Sequence, residues 1–410
     1  MTTTPKHTVS IYGNPLVSAA NSIVMRRQHQ AFNYRHSISA IGGFDSMSCD
    51  LAVDITTAEA IYQNNLGGRI ACYVDNNQLI WEGFINRITY RPGSKAYTRA
   101  FDDMANRVRV MYYRTSTAAV EGVSTVVNNT TSQGLYGIKD AVYDTDVNYG
   151  ANVTHKTSVQ TLKLAKQAYP QVSNAQSSGG AIITLECLGF YWIWDWEVYN
   201  SANTSTDNAD TAIIRKTVNT AAEAPANAPN IYITGSGGTG VHVSQIATNT
   251  AFVFSRENSS GSTYLEVLQA ILEGGDASNR WVLGITPLDP SGTAGNDRYV
   301  YFRAAQTSTL YTTKALSEPG VIRDIYGRKV DPWRVQPDNI IRVTDVLAGY
   351  DISGEDPRQT YMLNVEYDAE TQQVTYQGED DITLQGAFGL RQRYRKHGRR
   401  IKDANIRVII

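Results

Sequence analysis

The sequence predicts a mainly β protein with α+β inserts. Charged residues make up 19% and aromatic residues 10% of the 410 positions, with 25 Tyr and 32 Gly, a balance that favours strands and polar turns over long amphipathic helices. Apolar and polar residues alternate in several segments bounded by Gly, Asn and Asp. Pairs of such segments, joined by residues that tolerate turns, recur along the chain and read as β-hairpins. At 410 residues the chain exceeds one ordinary core, and roughly two to four domains are expected at about 100–200 residues each.

The first 36 residues are polar apart from VSIYG and NSIVM and read as an arm or as the first strands of the opening domain. In SMSCDLAV, Met47, Cys49, Leu51 and Val53 share one face while Ser46, Ser48 and Asp50 share the other, the pattern of a half-buried strand. Residues 55–66 space Ala58, Ile61, Tyr62 and Leu66 as on a helix, with Thr56 or Thr57 as its N-cap and Gly67 as its stop. The chain then alternates from Arg69 to Val74, turns at Asp75-Asn76-Asn77-Gln78 and returns from Leu79 to Tyr90, a hairpin. The apolar face of the return strand changes sides between Ile85 and Ile88, which predicts a bulge near Gly83. Phe101, Met104, Ala105 and Val108 predict a second short helix over 100–110.

Further along, 115–154 reads as short strands and turns, and 158–169 as a helix closed by Pro170. The segment 181–199 reads as two apolar strands turning near Leu188-Gly189, and 231–254 as two strands around GSGGTG. STYLEVLQAILEG is the clearest helix, capped by Ser262 or Thr263 with Leu265, Leu268, Ile271 and Leu272 on its apolar face. Strands at 280–285 and 297–304 follow it. Beyond Val330 the chain is strand-rich, with a second clear hairpin turning at 368–371. These segments divide the chain into a first domain (1–114), a β-rich middle region (115–255), a small α+β unit (256–310), a strand-rich return domain (311–385) and a basic C-terminal tail (386–410).

Composition bounds the function classes. Cys49, Cys72 and Cys187 are odd in number, lack CxxC spacing and sit in apolar alternation, so they read as reduced core residues. No apolar run approaches the ~18 residues of a membrane span, and MTTTPKHTVS does not read as a signal peptide. The formal net charge of −2 is unevenly spread: positions 391–410 hold eight Arg or Lys and one Asp, whereas 345–381 hold ten acidic residues and one Arg.

Four constellations could carry chemistry. GSGGTG at 235–240 matches GxGxxG, but strand-like VHVSQIATNTAFVF follows where a phosphate-binding helix would have to open, so a glycine-rich hairpin is the better reading. Asp195 and Glu197 are a carboxylate pair on one predicted strand, yet side chains about 7 Å apart and pointing the same way do not flank a scissile bond. Trp192, Trp194 and Trp196 on the opposite face are candidate glycan contacts, weighed against a packed core. The histidines at 7, 29, 36, 155, 242 and 397 never take metal-ligand spacing, and there is no GxSxG elbow. No catalytic, cofactor or metal site is expected. Arg391, Arg393, Arg395, Lys396, Arg399, Arg400 and Lys402 are candidate subunit-interface residues; docking onto the chain's own or a neighbouring acidic surface is preferred over nucleic-acid binding, and the apolar alternation after Ile406 suits strand addition.

The order of ISAIGGFDSMSCDLAVD, a short helix, GGRIACYVDNNQLIWEGFINRITY and YTRAFDDMANRV resembles the first domain of tail hub proteins of tailed bacteriophages. TYLEVLQAILEGGDASNRWVLGI resembles the hub's small α+β unit, and GRKVDPWRVQPDNII resembles the return to a second barrel-like domain. The resemblance implies that the first domain (1–114) and the return domain (311–385) are barrel-like, two tail-tube-like β-barrel domains in a non-enzymatic virion component, assembled in the bacterial host cytoplasm. It further implies a homo-oligomeric ring, a trimer, that joins tube or distal tail proteins to a spike or fibre and surrounds a channel through which DNA passes. A carbohydrate- or receptor-binding tail module and a tail tube or distal ring protein are the alternatives.

Overall fold

The computed structural model describes residues 5–379 apart from 19–24, 76–77, 116–117, 149–152, 178, 180, 200–204, 219–224, 228–245, 250–252, 257–261, 275–279, 286–297, 307–308, 315 and 346–358. The chain opens with β1 (His7–Tyr12), β2 (Met25–Ser39), β3 (Gly42–Leu51), α1 (Ile55–Asn64), β4 (Arg69–Val74) and β5 (Gln78–Tyr90). Alternation places Met47, Cys49 and Leu51 of β3 and Ile70, Cys72 and Val74 of β4 in one buried core, as the period of two requires. The N-cap of α1 is Asp54, ahead of both threonines: Thr57 N–H donates to Asp54 Oδ1 at 2.8 Å. Ala58 and Ile61 are the buried face of that helix.

Two bulges lie in the ladders of β5, on either side of Gly83 rather than at it. The pairing of β4 with β5 skips from Cys72↔Trp81 to Tyr73↔Leu79, leaving Ile80 extra, and a second slip leaves Asn86 extra and moves the apolar face from Ile85 to Ile88. Gly83 answers a different need, because a Cβ there would lie 2.1 Å from the Leu188 carbonyl oxygen.

An insertion follows. After β6 (Lys95–Ala100) the predicted helix over 100–110 is instead a turn leading into β7 (Arg107–Thr115). Phe101, Met104, Ala105 and Val108 are all buried, so their spacing recorded burial and not helical periodicity. The expected domain boundary at 114 falls inside β7. Next come β8 (Ala118–Val123), β9 (Val127–Asn128), α2 (Thr130–Tyr136), β10 (Asp140–Asn148), α3 (Val153–Gln167), β11 (Gln171–Gln176) and β12 (Ile183–Leu188). β7, β8, β9 and β10 form a separate sheet in which β10 runs parallel to β7, and β11 returns to pair with β6.

β12 completes a closed barrel. It pairs with both β3 and β5, β5 with β4, β4 with β1, β1 with β2, and β2 with β3, every pair antiparallel. Closure leaves these six strands without a free edge. Cys49, Cys72 and Cys187 are free and buried within this core, and burial pushes each thiol pKa up.

The second predicted strand of 181–199 is helical: a 3₁₀ turn Phe190–Trp192 runs into α4 (Ile193–Trp196). Gly189 makes the corner, since a Cβ there would lie 1.5 Å from the Phe44 carbonyl oxygen. β13 (Ser205–Asn208), α5 (Ala209–Ile213) and β14 (Val253–Arg256) follow, with β13 and β14 paired. The GSGGTG hairpin lies outside the described residues. Next, α6 (Tyr264–Gly274) carries a reciprocal cap, Thr263 N–H to Glu266 Oε2 at 3.1 Å and Glu266 N–H to Thr263 Oγ1 at 3.3 Å, the capping box. β15 (Trp281–Ile285) and β16 (Val300–Ala304) extend the barrel sheet beyond β3.

The remaining strands are β17 (Thr309–Lys314), β18 (Glu318–Asp324), β19 (Ile340–Val343), β20 (Gln359–Asp368) and β21 (Gln373–Glu379). They form a five-stranded sheet with its own small core of Ile322, Val335, Ile341, Met362 and Val365. The link to the barrel is β2, whose first half pairs with β1 and whose residues 35–39 pair with β20. Between the halves Asn33 takes φ +50° and the ladder with β3 slips; Asn33 Nδ2 donates to Asp50 Oδ2 at 2.8 Å. Asparagine tolerates that left-handed geometry better than most residues. The protein is therefore mainly β, a closed six-stranded barrel with added strands and a few helices.

Candidate functional site

Ser46 and Ser48, on the polar face predicted for β3, line a groove of about 820 Å³ between the barrel wall and the β20–β21 hairpin, while Asp50 of the same face does not. Register aligns its side chains in rows. Arg87, Glu186, Ser48, Arg35, Asp368 and Gln373 stand opposite one another across β5, β12, β3, β2, β20 and β21. Two ion pairs lie along this row, Arg87–Glu186 at 3.0 Å and Arg35–Asp368 at 2.9 Å. In the adjacent row the Ser37 and Ser46 hydroxyls are 2.6 Å apart, Ser37 also donates to Asp45 at 2.9 Å, and Glu366 stands opposite Ser37 and Thr375. A floor of short hydroxyls with paired charges offers hydrogen bonds over a broad, shallow area. Such exposed ion pairs contribute little stability, typically about 0–1 kcal/mol, so their effect is on what can approach.

The sequence-predicted sites lie elsewhere. Trp194 and Trp196 are 1% and 4% exposed, and Trp196 packs edge-on against Phe84 and Phe101 with ring centroids 5.2 and 5.1 Å apart. Trp192 is half-buried and donates from Nε1 to Asp45 at 2.9 Å. Because the segment is helical, the three indoles do not share a strand face, and a glycan platform needs an open ring face that Trp194 and Trp196 lack. Asp195 and Glu197 are likewise parted. Asp195 is exposed and accepts from Thr263 Oγ1 at 3.1 Å. Glu197 is 1% exposed, accepts from Arg107 at 3.0 Å and from the backbone N–H groups of Asn227 and Ala226 at 2.8 and 2.9 Å. Burial raises its carboxyl pKa, against the pull of Arg107. Arg107 also pairs with Asp140, which accepts from Val198 N–H at 2.8 Å, so Glu197 ties the insertion to the helical corner. The basic residues from Arg391 to Lys402 lie outside the described residues. Among the described residues no cluster of three His, Cys, Asp or Glu has metal-binding geometry.

Two buried polar groups escaped the sequence reading. Glu82 of β5 is 1% exposed and accepts from Arg69 at 2.5 Å and from Arg298 at 2.6 Å. Arg69 lies 4.1 Å over the Tyr12 ring and Arg298 4.2 Å over Phe190. No local pattern announces a pair whose members are 216 positions apart. The second group joins the barrel to the second sheet: His7 stacks on Tyr34 at 4.8 Å, Tyr34 Oη lies 3.0 Å from His36 Nδ1, and Tyr367 Oη lies 3.3 Å from His7 Nε2. Burial lowers the pKa of His7 to about 4 and, aided by His7 itself, that of His36 to about 3. Here a signal existed, since His7 alternates with Val9 and Ile11, and Tyr34 with His36 and Ile38, as inward-facing residues do.

No protein-family model and no curated protein matches the chain. Among solved structures, a tail protein from Neisseria meningitidis MC58 aligns over 92% of this chain and 97% of its own at 11% identity, with a TM-score of 0.36, a likeness too slight to carry an argument.

Proposed function

We propose that the protein is a structural component of a bacteriophage tail, a hub at the tail tip that works without catalysis. In this reading, copies form a ring, a trimer, around the channel and join tube or distal tail proteins to a spike or fibre. The observation that carries it is the continuity of the sheet: one strand, β2, belongs both to the closed barrel and to the five-stranded sheet, giving a stiff block suited to bearing load between neighbours. The order of segments that resembles hub proteins supports the same reading. Immunogold labelling of phage particles carrying this chain tests it. Gold at the tail tip is the expected result; label along the tube, on the head, or on none of the particles would overturn it.

A further inference from the structure

We propose that β11 is a pairing edge through which two copies of this chain join, antiparallel, β11 against β11. The inference stands apart from the tail reading. β11 pairs with β6 over six residues without a slip, from Gln171↔Ala100 to Gln176↔Lys95, and among the described residues no strand occupies its other side. All six of its residues are exposed, Val172 at 64%, and Tyr169 just before it is 45% exposed. The strand thus gains almost no apolar burial from the fold around it.

Natural sheets defend such edges with charge, proline, bulges or a covering segment. The edges of this sheet at β16 and β18 show those defences. β16 is bridged by Ile246 at Phe302, and β18 carries Pro319, charged Glu318, Arg323 and Asp324, and a bridge from Arg323 to Lys329. β21 ends on Glu379. QVSNAQ has no charge, no proline, no glycine and no bulge, so it meets a second copy of itself without opposing like charges.

The ladder fixes the register such a pair must take. Ser177 N–H donates to the Ser94 carbonyl at 2.8 Å, in phase with the β6 pairing, so odd residues of β11 turn their backbone groups toward β6. Val172, Asn174 and Gln176 therefore turn theirs outward. Residues directly opposite in an antiparallel pair must both face the partner or both face away. A two-fold axis through Asn174 satisfies this and engages every outward residue: Asn174 meets Asn174 of the second copy, Val172 meets Gln176, and Ser173 meets Ala175.

The test uses the full chain. Asn174→Pro removes an outward N–H and leaves the inward bonds to β6 in place, a position at which an edge strand accepts proline. Light scattering should show the mass of the assembly falling by a factor of two, whatever the size of any ring, with unchanged circular dichroism. Asn174→Cys should form an interchain disulfide under mild oxidation, because facing Cα atoms about 5.5 Å apart suit the bond, whereas Val172→Cys should not. Where the copies form a trimeric ring, β11 joins two such rings; a full-length chain that assembles as one ring alone, or one whose mass is unaffected by Asn174→Pro together with no crosslink at Asn174→Cys, overturns the proposal and leaves the edge to a different protein.

Discussion

Mild acid should loosen the junction between barrel and second sheet, and the histidines there set the size of the effect. His7 and His36 are 5% and 4% exposed, with pKa values lowered from 6.5 to about 4 and about 3. The charged groups facing them are Asp75, whose charge favours the protonated form of His7, and each other, which opposes it; Tyr34 and Tyr367 complete the surround. A base whose folded pKa lies below its unfolded value binds protons more readily when unfolded, so its stabilising effect is whole above pH 6.5 and is lost as pH falls toward 4 and 3. At about 1.4 kcal/mol per pH unit and per histidine, the two together remove about 4 kcal/mol between pH 7 and pH 5, a large share of the ~5–15 kcal/mol that holds an ordinary domain. That window lies above the range in which ordinary carboxylates titrate, which separates the cause. Urea unfolding followed by tryptophan fluorescence at pH 7 and pH 5 measures the loss. The double variant His7→Gln/His36→Gln, whose new amide at position 36 can still accept from Tyr34, should abolish most of it. An equal loss in the double variant and the natural chain would refute the reasoning.

Three further outcomes follow from single contacts. Glu82→Gln takes away the carboxylate shared by Arg69 and Arg298, and should cost about 3–5 kcal/mol in denaturant melts, as breaking a buried pair does; an unchanged midpoint would count against the buried triad. Gly189→Ala forces a methyl into the Phe44 carbonyl and should destabilise by about 3 kcal/mol or leave the chain insoluble, whereas Gly93→Ala, with nothing within 4 Å but a φ of +155°, should cost far less. Thr263→Ala removes the cap of α6 and should cost about 1 kcal/mol, with Thr263→Ser restoring most of it; equal melting temperatures for all three proteins would show that the cap carries no weight.

The period of two was legible wherever one face of a strand meets the core. It identified β3, β4 and β5 from their own residues, whereas β12 was read from its apolar run and the β20–β21 hairpin from its turn; the outward serines of β3 proved to line the groove. It failed where burial came from all sides. In FYWIWDW every residue but Trp192 and Asp195 is buried, so no periodicity survives to separate strand from helix, and the same loss of contrast turned Phe101 to Val108 into a predicted helix. The groove itself was illegible because its rows join strands that are distant in sequence: Arg87 and Glu186 meet across 99 positions. Register between such strands depends on the bulges at Ile80, Asn86 and Asn33; the switch of apolar face from Ile85 to Ile88 announced the one at Asn86, and no short window of sequence displays the other two.

Those distant pairings also order the folding of the chain. β12 closes the barrel against β3, a contact in which Thr184 donates to Asp50 across 134 positions, so the barrel keeps two open edges until β12 is seated. Until then β3 and β5 expose ladder groups that would pair with any extended chain, and long-range closure of this kind is slow. The sequence answers with structure inside the insertion: α2, α3 and the β7–β10 sheet are built from contacts among its own residues, and β6 with β11 brings the two ends of the insertion side by side directly before β12. The β6–β11 ladder thus delivers β12 to its gap in the barrel, and once β12 is seated β11 remains as the outer strand.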